Sequence, residues 1–250
     1  MVGTDNLRFG LLGPVRAWRD TTELALGSPQ QRTILALLLL RGGALATADE
    51  LVDALWSGAP PRAAVNTVRT YVSRLRRLLG ATVICSTGGG YVLRTPAESV
   101  DAFRFRAHTA RAHHATARGE YTTAARELSA ALALDRGRPL AGTTGPVAAM
   151  QRARLEHMVA TAREDLLAVE VGHGRHTHAL PDLVSLVAEH PLRERPRELL
   201  ITALYLAGRP AEAMAQYHET RRLLADELGI DPGAVLQRLH RDILTGALTR

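Results

Sequence analysis

Several residue types that define whole classes of proteins are missing, or nearly missing, from this chain of 250 residues. There is no lysine, which excludes the lysine of a Walker A nucleotide-binding loop and any lysine that forms a Schiff base. The single cysteine, Cys85, excludes an intrachain disulfide and a multi-cysteine zinc site, and it fits a reducing compartment. The longest apolar run, residues 34–40, is far shorter than the roughly 20 residues of a membrane-spanning helix. With no signal-like N-terminus, the sequence predicts a cytoplasmic protein without membrane contact.

Catalytic motifs are also missing. No G-x-S-x-G, G-x-G-x-x-G or G-x-x-x-x-G-K pattern occurs. His173, His176 and His178 lie close together, but no H-E-x-x-H pattern and no cysteine accompanies them, which favours a polar loop over a metal site. We therefore expect no enzyme activity, no metal and no cofactor.

Positive charge is concentrated in one part of the chain. The formal net charge is +6, and residues 1–97 contain 11 arginines against 6 acidic residues. Residues 54–97 contain no acidic residue and six arginines, namely Arg62, Arg69, Arg74, Arg76, Arg77 and Arg94. So local an excess predicts a surface that binds a polyanion.

The centre of this basic stretch, residues 63–79, has the periodicity of an amphipathic helix. Its predicted apolar stripe consists of Val65, Val68, Val72, Leu75 and Leu79. The opposite face is centred on Thr70 and Arg77, and the residues that flank it are Asn66, Thr67, Ser73 and Arg74. Guanidinium, amide and hydroxyl groups without a carboxylate suit DNA, because arginine pairs with guanine, asparagine with adenine and threonine with phosphate or a thymine methyl. A solvated helix that binds nothing is the alternative.

The elements predicted around this helix are those of a winged helix-turn-helix. Ser28 and Pro29 mark the start of one helix, and Thr47 with Glu50 forms a capping box for the next. In chain order we predict strands at residues 7–12, 15–18 and 23–26, helices at 30–41 and 47–56, the basic helix, and a glycine-turned hairpin of residues 82–86 and 91–94.

The second half has no strand signals and is rich in Ala, Leu, Arg and Glu. Asp101 is the expected N-cap of its first helix, and a loop at residues 137–146 precedes a long helix at 147–171. Gly174-Arg175 and Gly208-Arg209 then recur at a spacing of 34 residues, which is typical of tetratricopeptide helix pairs. Stacked pairs of this kind offer a concave surface to a protein partner.

Five motifs resemble a known family: FGLLGPV, LWSGAPP, NTVRTYVSRLRRLLG, GGGYVL and DPGAVLQRLHRDIL. They are similar to the Streptomyces antibiotic regulatory protein family, which joins a response-regulator-type winged helix to a bacterial transcriptional activation domain. The resemblance implies an α+β winged helix-turn-helix domain at residues 1–97 and an all-α, tetratricopeptide-like domain at residues 98–250.

The resemblance implies that Trp56 contacts a phosphate and that six residues of the basic helix lie in or beside the major groove, namely Thr67, Thr70, Ser73, Arg74, Arg76 and Arg77. Together with the charge pattern, the helix face and the wing, the full set of predicted contact residues is Trp56, Arg62, Asn66, Thr67, Arg69, Thr70, Ser73, Arg74, Arg76, Arg77, Thr87, Gly88 and Tyr91. Arg76 lies near the core boundary of the helix, from which its long stem would reach a phosphate. Thr87 stands where related wings often carry arginine, so we expect wing contact through backbone amides and Tyr91. Core packing remains an open interpretation of both Trp56 and Tyr91.

The family pattern implies double-stranded DNA with direct repeats at promoters of a biosynthetic gene cluster, recruitment of the RNA polymerase holoenzyme, and a homo-oligomer on DNA. No receiver or ATPase pattern occurs, so we expect activity to follow abundance. Two alternatives stay open: a tetratricopeptide-type adaptor whose winged helix docks protein, and a regulator whose helical half senses a ligand.

Overall fold

A computed structural model describes residues 6–56 and 58–248 of the chain. The strands are β1 (Leu7–Gly10), β2 (Arg16–Arg19), β3 (Thr22–Glu23), β4 (Ala46–Thr47), β5 (Ile84–Thr87) and β6 (Gly90–Leu93). The helices are α1 (Pro29–Leu40), α2 (Ala48–Trp56), α3 (Ala64–Leu79), α4 (Asp101–Ala117), α5 (Tyr121–Leu132), α6 (Pro146–Gly172), α7 (His176–Glu189), α8 (Glu194–Leu206), α9 (Pro210–Leu228) and α10 (Ala234–Thr245). None of these helices is long and apolar enough to cross a membrane.

The chain forms two compact units that are interleaved in sequence. One unit comprises the described residues up to Ala110 together with Ala130–Ala160, and the other comprises Arg111–Ser129 and the residues from Thr161 onward. The α+β elements all belong to the first unit, and the four helices α7–α10 belong to the second. The predicted order of an α+β winged part followed by helices is therefore confirmed.

The first unit contains two small antiparallel sheets, with strand orders β1-β2-β3 and β4-β6-β5. β3 pairs only at Thr22 and Glu23, because a two-residue turn at Asp20 and Thr21 returns the chain directly onto β2. The predicted strand at residues 23–26 therefore begins earlier and is shorter. β4 was missed by the sequence analysis, since two residues carry no periodicity.

Side-chain caps begin the first two helices as the sequence indicated. Ser28 Oγ accepts from the Gln31 amide at 3.3 Å, and Gln31 Oε1 accepts from the Ser28 amide at 3.4 Å, so α1 has a full capping box. Thr47 and Glu50 make the same reciprocal pair before α2, at 3.1 and 2.8 Å. Each cap satisfies amide groups that the first turn of a helix leaves unpaired.

Asp101 ties the end of β1 to the start of α4. Its carboxylate accepts from the amides of Leu11 and Leu12 at 2.8 and 3.1 Å, and from Arg136 Nη2 at 2.9 Å. The prediction that Asp101 is the N-cap is wrong, because α4 begins at Asp101 itself and the amides of Phe103 and Arg104 donate to Val100 O. The Asp101 side chain, which is only 9% exposed, holds a distant strand end instead. The guanidinium of Arg136 in turn lies 5.3 Å from the ring centre of Trp18.

The loop after α5 completes the same corner of the first unit. The Arg136 amide donates to Leu12 O at 2.7 Å, and the Leu140 amide donates to Leu11 O at 2.9 Å. Further along, Thr33 Oγ1 donates to Thr144 O and accepts from the Thr144 amide, both at 2.9 Å. These bonds fix the loop against β1 and α1, and they pair backbone groups that would otherwise be buried without partners.

The second unit contains the helical repeat that the 34-residue spacing predicted. Gly174 and Gly208 both take positive φ, at 80° and 76°, and each precedes a helix of the repeat. The equivalent residues Ala179 and Ala213 are both fully buried in the core that α7–α10 share. Small residues at these positions let neighbouring helices approach closely, as in other stacked helix pairs.

We predict that Asp101→Asn lowers the free energy of unfolding of the first unit by about 3 kcal/mol, because it leaves buried amides and a guanidinium without their shared anion. Urea unfolding followed by tryptophan fluorescence measures this, since Trp18 and Trp56 both lie in the first unit. Glu23→Gln is the control: its ion pair with Arg16 is about half exposed on both sides, so its loss should cost less than about 1 kcal/mol. Equal effects of the two variants would contradict the role of Asp101.

Candidate nucleic-acid interface

α3 has one buried face and one exposed, cationic face. Its buried residues are Ala64, Val68, Val72, Leu75 and Leu79. Ala64 takes the place predicted for Val65, which is partly exposed, and the rest of the predicted stripe is confirmed. The exposed members of the predicted contact set on this helix are Asn66, Arg69, Thr70, Ser73, Arg74 and Arg77. Because the apolar stripe fixes the rotation of the helix, these polar side chains are presented together.

The arginines of this face have no acidic partners. Arg62, just before the helix, and Arg74 and Arg77 on it are exposed and make no hydrogen bond or ion pair with any described residue. Residues 54–97 contain no carboxylate that could pair with them. Their positive potential is therefore uncompensated locally, which is the electrostatic requirement for attracting a polyanion.

Four of the polar residues make local side-chain hydrogen bonds along the helix. Thr67 Oγ1 donates to Ala63 O at 3.0 Å, and Thr70 Oγ1 donates to Asn66 O at 2.9 Å. Arg69 Nη1 donates to Asn66 Oδ1 at 3.3 Å. The two threonines can therefore offer a methyl group or an oxygen lone pair to a ligand without breaking a bond, while Asn66 and Arg69 form one polar pair.

Arg76 has a different task from its neighbours. Its Nε donates to Ile84 O and its Nη2 to Ser86 Oγ, both at 2.7 Å, so the side chain fastens β5 to α3. A structural role therefore accounts for two of the guanidinium nitrogens of Arg76, and the partly exposed side chain has only Nη1 left for the predicted phosphate contact. Sequence analysis missed Ser86, whose role depends on the register of a hairpin that the helix pattern does not reveal.

The wing is a tight hairpin with glycine at its tip. Thr87 pairs with Gly90, which leaves Gly88 and Gly89 as a two-residue turn with φ of 51° and 89°. Positive φ at both positions is the geometry that glycine permits most readily. Thr87 and Gly88 are exposed, as a wing contact requires. Gly90 has a separate constraint, since a Cβ there would overlap the backbone oxygen of Ala46.

Tyr91 belongs to the core of the first unit. Its side chain is 8% exposed, and the guanidinium of Arg76 lies 5.7 Å from its ring centre. A ring held in this way offers little surface to DNA, so the structure favours the core packing that was the alternative interpretation of Tyr91. Trp56 ends α2 and is partly exposed, so it keeps a surface for contact.

The arrangement suits recognition of a nucleic acid better than chemistry. It combines an exposed helix face that carries arginine, asparagine and hydroxyl groups with a short wing whose tip offers backbone groups. Within the described ranges, no group of three or more His, Cys, Asp and Glu residues is placed to hold a metal ion.

Comparison with protein families places both parts of the chain among transcriptional regulators. The model described as "Transcriptional regulatory protein, C terminal" matches residues 22–93. The model described as "Bacterial transcriptional activator domain" matches residues 100–244, more than half of the chain. The first match contains α3 and the wing, and the second contains the helical repeat.

Individual relatives agree with these matches. Regulatory protein AfsR of Streptomyces coelicolor is 52% identical over 95% of this chain, which spans only 24% of the AfsR length. Regulatory protein DnrI of Streptomyces peucetius is 31% identical, and the alignment covers 95% of this chain and 92% of DnrI.

A solved structure has the same fold. The chain described as "Mycobacterium tuberculosis EmbR in complex with low affinity phosphopeptide" superimposes with a TM-score of 0.92 at 36% identity, over 96% of this chain and 65% of EmbR. The winged helix presents an unpaired cationic face, the activator-domain model matches more than half of the chain, and the similarity to DnrI covers nearly all of both chains. The chain therefore belongs to the Streptomyces antibiotic regulatory protein family of transcriptional activators.

Proposed function

We propose that this chain is a sequence-specific DNA-binding transcriptional activator that works in the cytoplasm on the nucleoid. The main support for this proposal is the exposed face of α3, on which Arg74 and Arg77 have no acidic partner among the described residues. In this proposal α3 enters the major groove. There Arg74, Ser73 and the Asn66–Arg69 pair read base edges, while Arg62, Arg77 and Trp56 hold the phosphate backbone.

The wing supports the same complex through its backbone. Thr87 and Gly88 stand at an exposed tip without a long side chain, so the wing contributes amide groups to flanking phosphates rather than base-specific contacts. Sequence discrimination then rests on α3 alone. The adaptor alternative would require protein docking on the exposed face of α3, where Arg74 and Arg77 have no acidic partner among the described residues, and this charge disfavours it.

The remaining partners follow from the family. The relatives are regulatory proteins, including AfsR and DnrI. We propose that this chain binds direct repeats at promoters of a biosynthetic gene cluster, assembles as a homo-oligomer there, and recruits the RNA polymerase holoenzyme through its helical part. No catalytic role is proposed for any residue.

We predict that Arg74→Ala weakens binding to a cognate promoter fragment by about 1–3 kcal/mol, or roughly 5- to 150-fold in Kd, if the guanidinium forks onto a base. Binding to a scrambled duplex of equal length should change much less, because only one charge is lost. Mobility-shift titrations with both duplexes measure this. Arg238→Ala, an exposed arginine of α10, is the matched control and should leave both affinities unchanged. Unchanged promoter binding by Arg74→Ala would reject a base contact.

We further predict that Arg77→Gln reduces the salt dependence of binding by about 0.9 log units of affinity per log unit of salt, the contribution of one phosphate contact. Arg76→Gln is the comparison variant on the same helix. It should lower thermal stability by loosening β5 while leaving the salt slope unchanged, because its guanidinium is bound to Ile84 and Ser86. A salt slope that falls with Arg76→Gln and not with Arg77→Gln would overturn both assignments.

A further inference from the structure

A cavity of about 630 Å³ lies among α7, α8 and α9, wholly within the second compact unit. Its volume is in the range of small-molecule sites, which is roughly 300–1,000 Å³. One wall is apolar and consists of Val184, Val187, Ala188 and Leu200. Nothing in the proposed DNA interface uses this cavity.

Arg197 lines the cavity from inside the protein and is only 4% exposed. Its Nε donates to Pro191 O at 2.7 Å and its Nη1 to Thr220 Oγ1 at 3.2 Å, and both acceptors are neutral. No carboxylate of the described residues lies within ion-pair distance, so its remaining Nη2 group has no anionic partner. A buried guanidinium without a counter-ion is costly unless something else supplies the negative charge.

The pKa of Arg197 agrees with the absence of an anionic partner. Burial lowers the pKa of its guanidinium, and the carboxylate of Glu219 offsets that effect only in part. Glu219 is exposed and accepts from Gln216 Nε2 at 3.2 Å. Glu219, Asp226 and Arg222 all line the cavity and are exposed, so water and salt screen their charges. Arg197 is therefore the one charged residue of this lining that is buried.

Apolar space continues beyond the main cavity. A second cavity of about 240 Å³ shares Val184, Leu200 and Gln216 with the first, and it adds Leu180 and Leu204 to the lining. Arg209 and Glu212, which form an ion pair with each other, also line the second cavity, and Arg197 is the one buried cation in the lining of either. The shared apolar residues suit an aliphatic chain, and the buried cation suits an anionic head.

We propose that this cavity binds a small amphipathic anion whose carboxylate pairs with Arg197 and whose aliphatic chain packs against Val184 and Leu200. A bidentate carboxylate would satisfy the guanidinium, and burial of the chain adds hydrophobic stabilisation. The proposal does not depend on DNA binding, and its test measures ligand binding alone.

The experiment is isothermal titration of the full chain with sodium decanoate below its micelle concentration. Two probes isolate the parts of the ligand: acetate has the carboxylate without the chain, and decyltrimethylammonium has the chain with the opposite charge. Decanoate should bind saturably at one site per chain, and both comparison probes at least 10-fold more weakly.

Two variants locate the site. Val184→Trp places a large ring in the lining of the cavity while Arg197 itself is unchanged, and it should weaken decanoate binding at least 10-fold. Val235→Trp is the matched control, because Val235 is 53% exposed, against 56% for Val184, and lies on α10 outside the cavity. Arg197→Met should also lose at least 10-fold in affinity. Val184→Trp keeps the test decisive if the Arg197 variant fails to fold.

The proposal is overturned if decanoate does not saturate, if decyltrimethylammonium binds as well, or if Val184→Trp and Val235→Trp bind decanoate equally. Binding of an apolar peptide through its free C-terminal carboxylate, with no binding of decanoate, would also overturn it, since the site would then serve a protein partner.

Discussion

The carboxylate of Asp101 is the constraint on which the winged part of this molecule depends. It accepts from the amides of Leu11 and Leu12 where β1 ends, and from Arg136, which arrives much later in the chain. A buried anion with several donors is stable only when all of them are present. The first sheet is therefore completed by residues that follow the wing in sequence.

The cationic face of α3 also depends on which side chains have partners inside the protein. The apolar stripe of α3 packs in the core, and Arg76 bonds to β5. Arg74 and Arg77 have no acidic partner among the described residues. An uncompensated surface of this kind is tolerated because water solvates it, and counter-ion release then favours a polyanion. Packing thus decides which arginines are structural and which are available.

Local patterns predicted much of this fold, and non-local contacts account for what was missed. α3 and the capping box of Thr47 were predictable because helix periodicity and caps are written within a few residues. β4 was not predictable, since it pairs with β6 only because Gly90 lets the backbone of Ala46 approach closely. The burial of Tyr91 and the clamp of Arg76 likewise depend on hairpin register. The division of the chain at residue 97 stays a prediction, and the compact units are interleaved around it.

The interleaving has a practical meaning for anyone who cuts or recombines proteins of this family. A fragment that stops at the end of the wing would retain the donors and acceptors of Leu11 and Leu12 but lose Asp101 and the loop of residues 136–140 that pairs with them. Backbone groups just beyond the end of β1 would then lose their protein partners. Chimaeras that exchange DNA-binding modules should therefore take Asp101 and the loop of residues 136–144 from the same parent as β1 and α1.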